Sequence, residues 1–179
     1  MSTRPLSLAA ALLVILSGAA VGWWLGVRVS ADRPAVDLAG LELPTLGGSV
    51  DGPGRHPGQV SLLEYWASWC GPCKVQAKVL APLHQEFGDR VRFFAVNVGE
   101  SSEQVSHFLE AEPIPYPVLL DEHGEHASDA GVFGLPTVVL LDADGRVVLR
   151  SEGITTRQRL LEALHTAMGA SVDAPSAGS

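Results

Sequence analysis

The chain is poor in cysteine: of 179 residues only Cys70 and Cys73 are thiols. Both sulfurs are therefore committed to one spot, where they act together or not at all. The absence of a cysteine near the end of the N-terminal apolar run excludes a bacterial lipoprotein. Positive charge is also scarce, with 12 basic against 20 acidic residues and a net charge of −8. From Arg92 to Arg146 no lysine or arginine intervenes. Nucleic acid, which requires a basic footprint, is a poor match for that balance, and anionic lipid headgroups would not attract it. No flavin or nucleotide motif and no internal repeat is present.

Charge of either sign is missing from Pro5 to Val27. At about 1.5 Å per helical residue this run is long enough to cross a hydrocarbon core of about 30 Å. Arg4 and Arg28 flank it, and Trp23-Trp24 suits a membrane interface. It exceeds the roughly 7–15 apolar residues of a cleaved signal peptide. Residues 1–28 are thus expected to be a signal anchor, one transmembrane helix. Val29 and Ala31, before Asp32, offer a cleavage site and hence a secreted alternative. The sparse positive charge points to an N-terminus inside, which predicts a single-pass inner-membrane protein with its catalytic domain on the periplasmic, extracytoplasmic side. Because that compartment is oxidising, a dithiol there needs a dedicated source of electrons or a reason to be oxidised.

Beyond a linker at 29–40, residues 41–169 read as one domain and 170–179 as a flexible tail. Val60 to Ala67 is a near-continuous apolar run, the pattern of a strand buried on both faces. Lys74 to Phe87 carries Val75, Val79, Leu80, Leu83 and Phe87 at helical spacing, closed by Gly88. Val91 to Val98 is a second strand, and Ser101-Ser102-Glu103-Gln104 opens a helix to about Ala111. Pro113, Pro115 and Pro117 impose an extended entry into a strand at Val118 to Leu120. A short helix is expected within His123 to Val132. Thr137–Leu141 and Arg146–Leu149 flank the turn Asp142-Ala143-Asp144-Gly145 as a hairpin, and a final helix starts at Thr155 to Gln158. The order gives an α/β domain, a mixed sheet covered by helices on both faces.

The cysteines fall at the strand-to-helix junction, in Trp69-Cys70-Gly71-Pro72-Cys73. There the first sulfur meets free backbone N–H groups and the positive end of the helix dipole, which favours a thiolate. The second lies one turn on, within reach for a small disulfide. This is the pattern of a redox switch.

Trp66-Ala67-Ser68-Trp69-Cys70-Gly71-Pro72-Cys73-Lys74, followed by Gly134-Leu135-Pro136-Thr137, resembles thioredoxin. The closer resemblance is to the membrane-anchored exported thiol:disulfide oxidoreductases of the TlpA, ResA and CcmG type, over about Leu41 to Met168. It implies a thioredoxin fold with an N-terminal extension and a central insertion at about Ser101 to Val132. It further implies that Cys70 is an exposed nucleophile, that Cys73 resolves the mixed disulfide, and that Pro136 is a cis-proline turning the Leu135 backbone toward substrate. Trp69, Gly71 and Pro72 would complete the substrate-binding surface. The Cys70–Cys73 disulfide would be the only redox group, with no cofactor and no metal. Implied partners are exported disulfide proteins, apocytochrome c or its maturation factors among them, and a membrane thiol-electron donor of the DsbD/CcdA kind.

Glu64, six residues before Cys70, occupies the place where thioredoxins keep a buried acid and disulfide isomerases a glutamate. Burial raises a carboxyl pKa, so Glu64 is a candidate to handle the Cys73 proton; the other reading is a strand-edge glutamate reaching solvent. Departures from the group are Gln76 in place of glutamate and Lys78 in place of a kinking proline, which leave the potential open. Gly71-Pro72 suits the reducing end of the scale, near the roughly −270 mV of thioredoxin. An oxidase or isomerase is the alternative, as is a copper- or zinc-handling module using Cys70 and Cys73, with His123 and His126. The default for both histidines is a solvated polar turn. The ten acids between Arg92 and Arg146 would form either a solvated acidic face or a docking surface for a basic partner.

Overall fold

A computed structural model describes residues 36–170. The expected anchor (1–28) and the tail after residue 170 lie outside the described residues. Among the described residues, no helix is long and apolar enough to cross a membrane.

A two-residue ladder, β1 (Leu43–Pro44) with β2 (Val50–Asp51), precedes the main sheet. The sheet then takes β3 (Val60–Trp66), helix α1 (Gly71–Phe87), β4 (Val91–Val98), α2 (Ser102–Ala111) and β5 (Val118–Asp121). A short α3 (Glu125–Asp129), the hairpin β6 (Thr137–Leu141) and β7 (Val147–Glu152), and α4 (Arg157–Ala170) complete it. Strand order is β5-β4-β3-β6-β7, with β3, β4 and β5 parallel and β6 and β7 antiparallel. This is the expected thioredoxin-like mixed sheet. The stretch expected as an insertion, about Ser101 to Val132, holds α2, the parallel edge strand β5 and α3.

Every residue of β3 is buried, as its unbroken apolar run required, and the pleat divides them between two cores. Val60, Leu62 and Trp66 pack with Leu80, Leu83 and Phe87 of α1, Val105 of α2 and Leu160 and Leu164 of α4. Leu63 and Tyr65 face the opposite way, with Phe94, Val96, Leu119, Val139 and Ala127 of α3. Leu38, placed in the linker from the sequence, is buried in that second core together with Leu41. The packed chain therefore begins before position 41.

Helix α2 starts as its sequence predicts. Ser101 caps the Gln104 N–H and the Gln104 side chain returns to the Ser101 N–H, a capping box. Helix α1 corrects the apolar spacing. Val75 is 48% exposed, whereas Gln76 is fully buried. The helix also carries Pro82 in its interior, which cannot donate the usual bond to the Lys78 carbonyl.

Candidate active site

Helix α1 begins three residues earlier than its apolar spacing suggested, so the two cysteines straddle its start. Cys70 is the N-cap, Gly71 and Pro72 form the first helical positions, and Cys73 lies in the first turn. A proline is tolerated there because the N–H it lacks would have no helical partner. The sulfurs form a disulfide with S–S 1.99 Å and Cα–Cα 5.3 Å. Cys70 Sγ also accepts the Cys73 N–H at 3.2 Å. The first sulfur thus sits where unsatisfied donors and the helix dipole favour negative charge.

The structure corrects the expectation of an exposed Cys70: in the disulfide it is only 4% accessible, close to the 3% of Cys73. The bond folds the Cys70 sulfur in against the helix start. The surface is instead offered by its neighbours, with Gly71 and Pro72 exposed and Trp69 73% exposed. Trp66 is buried in the core.

The Leu135–Pro136 peptide is cis. Antiparallel pairing of Tyr65 with Thr137 sets this segment beside the end of β3 from which the cysteine loop departs. Thr137 Oγ1 donates to the Gly134 carbonyl, and Gly153 N–H donates to the Pro136 carbonyl. Among the described residues nothing bonds to the Leu135 N–H or carbonyl. Phe133, three residues before Pro136, is 86% exposed, and Ile154, next to Gly153, is 51% exposed.

Glu64 does not reach solvent. It is 1% exposed, on the central strand and on the face of Leu62 and Trp66. Burial pushes its carboxyl up to about 7, against the lowering effect of one hydrogen bond, donated by Tyr116 Oη to Oε2 at 2.9 Å. Among the described residues, Glu64 Oε1 and Trp66 Nε1 have no hydrogen-bond partner. Both residues line, with Cys73, a cleft of about 110 Å³ whose wall also includes Lys74, Lys78 and Glu112. A buried acid that ionises near neutrality and lines the same cleft as Cys73 is suited to exchanging protons with that thiol.

Sequence reasoning missed the roles of several polar residues, some of them beside this site. Glu100, counted among the acids of a charged face, is buried. It accepts the Ser68 N–H at 2.7 Å, the Ser68 hydroxyl and Asn97 Nδ2 at 2.7 Å. It thereby ties down the loop two residues before Cys70. Asp121 and Asp142 are likewise buried and accept backbone N–H groups of Ala127 and of Asp144 and Arg146. Three of the ten acids are therefore internal acceptors rather than parts of a docking face. Gln76 accepts the Thr155 N–H at 2.7 Å, joining α1 to the loop before α4. Tyr116 had no sequence signal beyond its prolines.

His123 is exposed, but His126 is not the solvated residue expected. It stacks on Tyr65 at 5.9 Å in the second core, where desolvation lowers its pKa despite nearby Asp121 and Asp129. It belongs to the sheet face opposite Cys70 and Cys73. Among the described residues, no group of three or more His, Cys, Asp or Glu is placed to hold a metal ion.

Comparison with known proteins agrees with this geometry. The Redoxin family model matches residues 33–164. The thiol-disulfide oxidoreductase ResA of Bacillus cereus is 30% identical over 159 residues, spanning 86% of this chain and 91% of that protein. The thioredoxin-like protein YneN of Bacillus subtilis is 30% identical over 167 residues, 88% and 95% of the two chains. The crystal structure of StoA from Bacillus subtilis superposes with a TM-score of 0.62 at 26% identity, covering 73% of this chain and 99% of that one. With its disulfide at a helix N-terminus and a cis-proline strand beside it, the chain belongs to the Redoxin family, as a thioredoxin-like thiol-disulfide oxidoreductase of the ResA type.

Proposed function

We propose that the chain reduces disulfides of exported proteins through a Cys70–Cys73 dithiol/disulfide cycle, tethered to the membrane by residues 1–28. The observation that carries the reading is the Cys70–Cys73 disulfide at the start of α1 with the under-bonded Glu64 in the cleft behind it. In the reduced protein the Cys70 thiolate, stabilised by the helix N-terminus, attacks a substrate sulfur. One substrate thiolate leaves and a Cys70–substrate disulfide forms. The Cys73 thiol gives its proton to the Glu64 carboxylate, and the resulting thiolate attacks Cys70 Sγ. The mixed disulfide breaks, the second substrate thiolate leaves with its electron pair, and Cys70–Cys73 is oxidised.

Substrate would lie across Trp69, Gly71 and Pro72 and pair as an extended strand with the free backbone groups of Leu135 beside Pro136. Exposed Trp69, Phe133 and Ile154 offer apolar area for that contact. Apocytochrome c and its maturation factors are one substrate class in keeping with the resemblance. Re-reduction would come from a membrane thiol donor of the DsbD/CcdA kind, since the chain carries no electron-supplying motif of its own.

The reduction potential of Cys70–Cys73, measured by equilibration with glutathione, tests the direction. A value well above about −180 mV would exclude the reductase reading and favour an oxidase or isomerase, for which the buried Glu64 is also suited. Cys70→Ser should abolish exchange, and Cys73→Ser should accumulate the mixed disulfide; turnover surviving in Cys70→Ser would remove the cycle altogether.

A further inference from the structure

Tyr116 lies in Pro113-Ile114-Pro115-Tyr116-Pro117, the extended link from α2 into β5. Pro115 and Pro117 are exposed while Tyr116 between them is 4% exposed. Its ring packs against Phe93 at 5.8 Å and edge-on to His84 at 5.4 Å. A phenylalanine would fill the same volume. The hydroxyl is what differs, and its partner is Glu64, 52 positions away. A polar group carried into the core with one buried partner is costly unless that bond is made, so the placement of the hydroxyl points to Glu64.

We propose that Tyr116 is a positioning residue for thiol–disulfide exchange: its hydroxyl holds one carboxylate oxygen of Glu64, leaving the other to take the Cys73 proton. The proposal rests on the reading of Glu64 as the proton acceptor for Cys73. The bond to Oε2 stabilises the ionised carboxylate, the form able to accept a proton, against the burial that disfavours it. The phenol does not itself ionise, because burial and the neighbouring Glu64 charge push its own pKa upward. The other titratable groups facing this region are Cys73, Lys74 and Lys78 of α1, Glu112 after α2, and His84 against the Tyr116 ring. The segment between α2 and β5 thereby acts on the redox step through Glu64. The step balances as before. The proton passes from Cys73 Sγ to Glu64 Oε1, the Cys73–Cys70 bond forms, and the substrate thiolate departs with the electron pair of the broken bond.

The test follows two thiolate releases when the reduced 179-residue chain reacts with 5,5′-dithiobis(2-nitrobenzoate). The first reports attack by Cys70 and the second reports resolution by Cys73. In the parent the second rate should titrate with Glu64. In Tyr116→Phe that midpoint should rise by about one pH unit, with resolution about tenfold slower below the midpoint and the alkaline plateau unchanged. Glu64→Gln should lose the titration. A Tyr116→Phe profile superimposable on the parent, while Glu64→Gln loses its titration, would overturn the role of Tyr116 and leave that of Glu64 standing. A Glu64→Gln profile matching the parent would remove the Glu64 reading and this inference with it. If Tyr116→Phe does not fold by circular dichroism, 3-fluorotyrosine placed at position 116, a stronger donor, must lower the midpoint. An unchanged midpoint there overturns the proposal.

Discussion

Two buried glutamates lie near the C-terminal ends of neighbouring strands and do opposite things. Glu100, just after β4, accepts hydrogen bonds from the Ser68 N–H, the Ser68 hydroxyl and Asn97. Glu64, within β3, accepts one, from Tyr116, and keeps Oε1 unpartnered. The first has its oxygens taken up by those donors, and what it delivers is a fixed loop ahead of Cys70. The second is left short of donors, so burial pushes its proton affinity up to about 7. The number of donors built around a buried acid separates an anchor from a proton carrier.

The comparison can be broken by experiment. The largest effect is expected for Glu100→Ala, which strands the Ser68 and Asn97 donors; unfolding of the oxidised protein in urea should show a loss of about 2–4 kcal/mol. A loss below about 1 kcal/mol would mean the loop does not depend on that carboxylate.

Glu64→Gln should act in the other direction and only above acidic pH. Its carboxyl is raised in the fold, so between about 4.5 and 7 the folded state holds more protons than the unfolded one. Stability from this group is therefore full below about pH 4.5 and falls as pH rises toward 7. Removing the charge should recover about 1–2 kcal/mol at pH 8, less than the full linkage because the new amide brings a buried N–H₂ of its own. Parent and variant unfolding curves that differ equally at pH 4 and pH 8 would contradict the assignment.

Smaller changes sharpen the contrast. Gln76→Ala should cost about 1 kcal/mol by freeing the buried Thr155 N–H. Trp69→Ala, at a 73% exposed site, should leave stability within about 0.5 kcal/mol of the parent. It should nonetheless slow reduction of a protein disulfide more than that of a small aromatic one, and equal slowing of both would argue against a docking role.

Much of this molecule was legible in its sequence. The cysteine pair, the buried run of β3, the helix start at Ser101 and the hairpin around Gly145 depend on local chemistry or on a short pattern, while the cis-proline position came with the resemblance. Glu64 stood out because an acid interrupts an apolar strand. Its burial followed from the two-sided apolar run of β3, and what the sequence left open was which groups would meet it there. Likewise Val75 fitted the helical period better than Gln76, but the phase of α1 against the sheet turned the glutamine inward to meet Thr155. Only the tertiary structure decided that Tyr116 reaches Glu64 and that Glu100 reaches Ser68. A buried polar atom must find a partner wherever the folded chain brings one, and those partners lie 52 and 32 positions away, beyond any local pattern.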